Sequence, residues 1–242
     1  MTEEKGLSHA GDPHGFFRLA REKLGYRFCD PDLLSHALTH SSYAFEQHLP
    51  KSSDNERLEF LGDAVLELAT SRFLFTEYPD LPEGQLTKMR AALVCEEALY
   101  EDAGEVSLGD YILLGKGEES DGGRKRKSVV SDAFEAVIGA IYLDGGYEEA
   151  ERFIRRFCLK DVERHVMFHD CKSALQEKTQ EQYGSLPEYR MVNETGPDHR
   201  KEFTVEVWVQ GELQGTGKGN SIKAAEKEAA YQALLHYVSE KH

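Results

Sequence analysis

The chain has 242 residues, 40% hydrophobic and 30% charged, enough for one large domain or two small ones, each with its own core. No run of eighteen apolar residues occurs, which excludes a membrane-spanning helix. The net charge is −15 and the pI is about 5.1, which excludes a partner recognised through overall basic charge.

The first fifteen residues are polar and lack an apolar stretch, so a tail over 1–15 and no secretion signal are expected. Residues 16–165 read as an all-α domain. A helix over about 55–78 carries Leu58, Leu61, Val65, Leu68 and Phe73 at helical spacing. It opens on Ser53-x-x-Glu56, the form of a capping box, and stops before Pro79. Further helices are expected over about 86–104, from Asp132 to Gly145-Gly146, and over 147–166. Between them lies the basic run Arg124-Lys125-Arg126-Lys127, which reads as an exposed loop and a source of phosphate contacts or simply a solvated surface.

After a short linker over 166–171 the pattern changes. Residues 172–242 read as a small α+β domain in the order α-β-β-β-α. Ser173 to Tyr183 is helical, and 188–193, 202–209 and 213–217 are strands. In FTVEVWV apolar residues alternate, the period of a half-buried strand. A last helix runs over 221–238 with Asn220 or Ser221 as its cap.

The sharpest chemical signal is acidic. Glu56, Glu59 and Asp63 stand at i, i+3 and i+7 in NERLEFLGD and share one helix face, where like charges repel. A divalent cation is one reason to keep them together, because a hard ion such as Mg²⁺ takes carboxylate oxygen. Asp132 and Glu135 form a second acidic pair at i, i+3. If the two faces meet, Glu59, Asp63, Asp132 and Glu135 make a pocket for one or two ions, suited to metal-activated water attack on a phosphate. The same spacings also suit helix capping, with Glu56 serving Ser53 and Asp132 as an N-cap. Gly62 inside the helix costs about 1 kcal/mol against alanine. It calls for close approach of a second backbone, either across a two-fold axis or within one chain.

The four cysteines, at 29, 95, 158 and 171, have no C-x-x-C spacing, so no zinc knuckle or redox pair is expected. A reducing, cytoplasmic setting suits them.

NERLEFLGDAVLELA resembles the signature segment of the ribonuclease III catalytic domain. HALTHSSY at 36–43, KMRAALVCEEAL at 88–99 and SVVSDAFEAVIGAIYLDGG at 128–146 follow in that family's order. The C-terminal segment resembles a double-stranded-RNA-binding domain. The resemblance covers about residues 16–240. It implies an all-helical homodimer whose metal ligands fall on Glu59, Asp63, Asp132 and Glu135, with Mg²⁺ as the cofactor and Mn²⁺ as a substitute. Glu56 would support that site, and Glu83 would lie near the RNA and the dimer interface. Each subunit would cut one strand of duplex RNA, leaving 5′-phosphate and 3′-hydroxyl ends with a short 3′ overhang. Ribosomal RNA precursors and other structured transcripts are the implied substrates.

In the small domain the resemblance places Gln176, Glu177 and Gln180 on one minor groove and Pro197 and His199 on the next, with Asn220, Ser221 and Lys223 near phosphates. The sequence departs from the family's lysine cluster here: Ile222 and Glu226 stand where many such domains carry lysine. Weaker and salt-sensitive binding by this domain alone is expected. The alternatives are a non-catalytic RNA-binding protein that uses the nuclease fold to dimerise, and a helical phosphohydrolase acting on small nucleotides.

Overall fold

The computed structural model describes residues 15–50, 52–197 and 201–239. It divides into two compact units, residues 1–162 and 163–242.

The described part of the first unit is helical. It holds α1 (Phe16–Arg18), which runs into a π-helical turn at Leu19–Leu24, then α2 (Pro31–Ala37) and α3 (Ser41–Glu46). The long α4 (Glu56–Glu77) follows, then α5 (Glu83–Leu93), α6 (Glu96–Glu105) and the short α7 (Lys116–Ser120). Next come α8 (Lys127–Gly145) and α9 (Tyr147–Phe157). Helix α8 is the central element, because its sequence is apolar nearly all round. Phe134, Ile138 and Ile141 are fully buried in it, and α2, α4, α6 and α9 pack about it. Phe134, Phe153 and Phe157 stack ring against ring at 4.7–6.4 Å between centroids.

Several boundaries depart from the sequence reading. Helix α4 starts at Glu56 with Asn55 as a cap that makes no side-chain hydrogen bond, so Ser53 and Glu56 form no capping box. Leu68, one of the apolar residues at helical spacing, is 58% exposed. The single helix expected over 86–104 is two, broken at Val94 and Cys95, where Cys95 takes an extended conformation. Helix α8 begins five residues before Asp132, which places that residue inside the helix and not at its cap. The helix expected over 147–166 ends at Phe157 and resumes as α10 (Val162–His169).

The second unit carries α11 (Cys171–Tyr183), β1 (Glu188–Thr195), β2 (Glu202–Val209), β3 (Glu212–Gly219) and α12 (Ile222–Ser239). The strands form an antiparallel sheet in the order β1-β2-β3. Val205, Val207 and Val209 alternate inward from β2. Val207 joins Leu175, Ala229, Ala230, Ala233, Leu234 and Tyr237 in one core. Gly215 and Gly217 let α12 lie directly on β3, since a Cβ at either would overlap helix backbone. The residues read as a linker are mostly helical: Met167 packs on this core and Cys171 is fully buried in it.

Candidate active site

Two helices cross closely enough to bring acids together. A Cβ at Gly62 of α4 would overlap the carbonyl oxygen of Glu135, and one at Gly139 of α8 would overlap that of Leu58. The two glycines therefore let α4 and α8 pack backbone to backbone. The close approach that Gly62 called for lies within this one chain.

The crossing puts Glu59 of α4 beside Asp132 and Glu135 of α8, one oxygen from each lying within 4.8 Å of the others. All three are half-buried. Among the described residues, no lysine or arginine pairs with any of them. Glu135 is the most perturbed. Burial, then the charges of Asp63, Asp132, Glu59 and Glu67, push its carboxyl up to about 8. Burial, then Asp132, Glu56 and Asp63, raise Glu59. Asp132 is raised by burial and by Glu96, against lowering by the Ser131 hydroxyl and His40.

The remaining acids surround this group. Asp63 is exposed and lies outside the three-oxygen cluster, but it is the largest charge acting on Glu135. Glu56 is exposed at the start of α4 and acts on Glu59. Glu83, exposed at the start of α5, accepts a hydrogen bond from the Thr87 hydroxyl at 2.8 Å. Sequence spacing missed Glu96 and His40. Glu96 acts on Asp132 from the start of α6 and His40 from the extended cap position before α3, and only the segments HALTHSSY and KMRAALVCEEAL hinted at them.

Three hard-oxygen donors converge from two helices with no lysine or arginine among the described residues paired to them, a donor set that fits a divalent cation such as Mg²⁺. Burial and the neighbouring acids raise all three carboxyls, the direction that a bound cation would oppose.

In the second unit, Gln176, Glu177 and Gln180 are exposed on α11, and Pro197 is exposed beyond β1. His199 lies outside the described residues. Asn220, Ser221 and Lys223 are exposed at the start of α12, where the Ser221 hydroxyl caps the helix by accepting from the Ala224 amide at 3.2 Å. The basic run of the first unit is largely engaged internally. Arg124 pairs with Glu119 and donates to the Gly109 carbonyl, Arg126 pairs with Glu118, and Lys127 pairs with Glu97.

Known proteins share this organisation. The family model described as Ribonuclease-III-like matches residues 30–162, and that of the double-stranded RNA binding motif matches residues 171–237. The chain belongs to the ribonuclease III family. It is a double-strand-specific endoribonuclease by that membership, and the family is one of metal-dependent nucleases. Ribonuclease 3 of Pseudothermotoga lettingae is 48% identical over 220 residues, covering 88% of this chain and 92% of the relative. Ribonuclease 3 of Enterococcus faecalis is 49% identical over 216 residues, covering 88% and 94%. Among solved structures, the nuclease domain of ribonuclease III from Campylobacter jejuni superposes with a TM-score of 0.56 at 45% identity. It covers 60% of this chain and 97% of that domain.

Proposed function

We propose that this ribonuclease III acts as a homodimer on duplex RNA, each protomer hydrolysing one strand with Mg²⁺, for which Mn²⁺ substitutes. The products are 5′-phosphate and 3′-hydroxyl ends with a short 3′ overhang. The substrates are ribosomal RNA precursors and other structured transcripts of the cytoplasm. All four cysteines are free, as suits a reducing compartment, and no helix among the described residues is long and apolar enough to cross a membrane.

The observation that carries this reading is the convergence of Glu59, Asp132 and Glu135 from two helices, oxygens within 4.8 Å. These three would hold the ion, with Asp63 at the edge of the group. A bound cation supplies Lewis acidity, making water a better nucleophile and offsetting charge on the phosphate and the leaving oxygen. The chain's contribution is preorganisation. The glycine-mediated crossing fixes the carboxylates before RNA arrives, so little reorganisation is left for the reaction. Hydrolysis forms a bond from the water oxygen to phosphorus and breaks the one to the 3′ oxygen, which leaves as a hydroxyl with the proton that the water gives up.

Support for the dimer comes from α4. Its inner side buries Leu58, Val65, Leu66, Ala69 and Leu74, but Phe60, Leu68 and Phe75 on its outer side are 79%, 58% and 76% exposed. Large apolar groups uncovered along one helix suit a self-complementary interface. The Campylobacter jejuni nuclease domain has a region involved in dimer formation.

The test is incubation of the pure protein with long duplex RNA, with Mg²⁺ and then with chelator, alongside Glu135→Gln. Cleavage that needs the ion and is lost in the variant supports the proposal. A protein that retains duplex RNA but never cuts it is a binder only.

A further inference from the structure

The RNA-binding unit is not basic: residues 170–242 hold nine Lys and Arg against twelve Asp and Glu. Most of those cations are also engaged internally. Lys172 pairs with Glu226, Arg190 with Glu188, Lys201 with Glu194 and Lys218 with Glu202. Lys178 lies over the Tyr237 ring and Lys227 over the Phe168 ring. Among the described residues from 171 to 239, Lys223 is the one cation with neither an acid nor a ring as partner.

The Lys172–Glu226 pair stands apart by its position. Its nitrogen and oxygen are 2.7 Å apart, and the pair ties α11 to α12, the two helices that carry the expected RNA contacts. Lys172 is one helical turn before Gln176 on α11, and Glu226 is three residues beyond Lys223 on α12. The ammonium also sits 4.7 Å from the centre of the Tyr189 ring. Glu226 is the more sheltered partner, its side chain 26% exposed against 43% for Lys172. The acid is thus held in place, and the lysine is bound from two sides at the border of the contact surface.

We infer that Glu226 is an affinity-setting residue: it withholds the Lys172 ammonium from RNA phosphate and so keeps duplex binding weak and readily reversible. This rests on the proposed RNA-binding role of the second unit. A phosphate that approaches Lys172 has to displace a carboxylate already in place and then lie beside it. Without the carboxylate, the same lysine adds one cation to the surface shared by Gln176 and Lys223. An enzyme that must release cut duplex benefits from a contact that stays switched off.

The experiment measures binding of a duplex RNA by the full-length protein in chelator, so that the RNA stays intact, over a series of salt concentrations. The proteins are wild type, Glu226→Gln, the double variant Lys172→Gln/Glu226→Gln, and Glu212→Gln as a control of equal charge change at an exposed position on β3. One more phosphate contact steepens the dependence of log K on log salt by about 0.9, so Glu226→Gln is expected to show that steeper slope and roughly three- to tenfold tighter binding at low salt. The double variant is expected to lose both effects, and Glu212→Gln to leave the slope unchanged. An unchanged slope in Glu226→Gln, or a gain that survives in the double variant, would overturn the inference. Failure of the wild-type protein to bind duplex RNA would instead overturn the proposed function and the inference with it. Melting curves of all four proteins confirm that a folded unit is being compared.

Discussion

Gly62 faces the backbone carbonyl of Glu135 with no room for a methyl group between them. The residue that lets the helices touch is thereby coupled to the residue that is most perturbed at their crossing. Gly62→Ala is expected to force α4 and α8 apart. Overpacking of this kind costs about 1–3 kcal/mol, and backbone is the obstacle here, so the upper end applies. A lower melting temperature together with weaker Mg²⁺ affinity is the expected pair of results. A variant with unchanged melting would show that the crossing gives way easily.

Replacing Glu135 separates stability from function. Its carboxyl is pushed up to about 8 by burial and by Asp63, Asp132 and Glu59. A folded value above the ordinary 4.5 means that the metal-free fold loses stability as pH rises from about 4.5 to 8. Glu135→Gln removes that penalty. The variant is expected to melt higher than wild type in chelator at pH 8, and to gain less from added Mg²⁺, by differential scanning calorimetry. Equal melting of the two proteins in chelator would show that the cluster is not electrostatically strained.

Asp102 provides a second pH dependence, remote from the acids of the crossing. It is 2% exposed on α6, and burial pushes its carboxyl up to about 7 in spite of a hydrogen bond with Cys158 and the nearby Lys160. The folded protein therefore holds a proton that the unfolded chain has released between about pH 3.8 and 7. Stability falls as pH rises through that window, by at most on the order of 4 kcal/mol. Asp102→Asn is expected to flatten the decline, so the difference in melting temperature between variant and wild type grows from pH 4 to 7. A constant difference would contradict the assignment.

The basic run invites a substitution that distinguishes anchoring from RNA contact. Arg124 donates to the Gly109 carbonyl at 2.7 Å and pairs with Glu119. Arg124→Gln is expected to lower melting by about 1–2 kcal/mol of stability and to change duplex affinity less than twofold, since its charge is already spent. A large loss of affinity with unchanged melting would assign the residue to RNA.

Much of this was legible in the sequence because periodicity carries it. The alternation in FTVEVWV located β2 to the residue, and the NERLEFLGD spacing located the acids of α4. Asp132-x-x-Glu135 was also found, but its surroundings were misread. The residues Lys127 to Ser131 that precede it continue the helix, and local spacing does not distinguish an N-cap from an acid held inside a helix. Gly62 pointed to a close backbone without naming it, because its partner is on α8, more than seventy residues away. Leu68 shares the helical spacing of Leu58 and Val65, yet stands exposed with Phe60, since a helix with apolar groups on two faces gives no sign of which face its own chain covers. The ion pairs that occupy Arg124, Arg126 and Lys172 were invisible for the same reason. Each joins charges brought together by the fold, and composition counts both partners without pairing them.

The most direct test of the account is crystallographic. Crystals grown or soaked with Mn²⁺ locate the ion by its anomalous scattering. A peak bound by oxygens of Glu59, Asp132 and Glu135 is the expected result. An ion held elsewhere, or an empty crossing in a protein that cleaves duplex RNA under the same conditions, would contradict it.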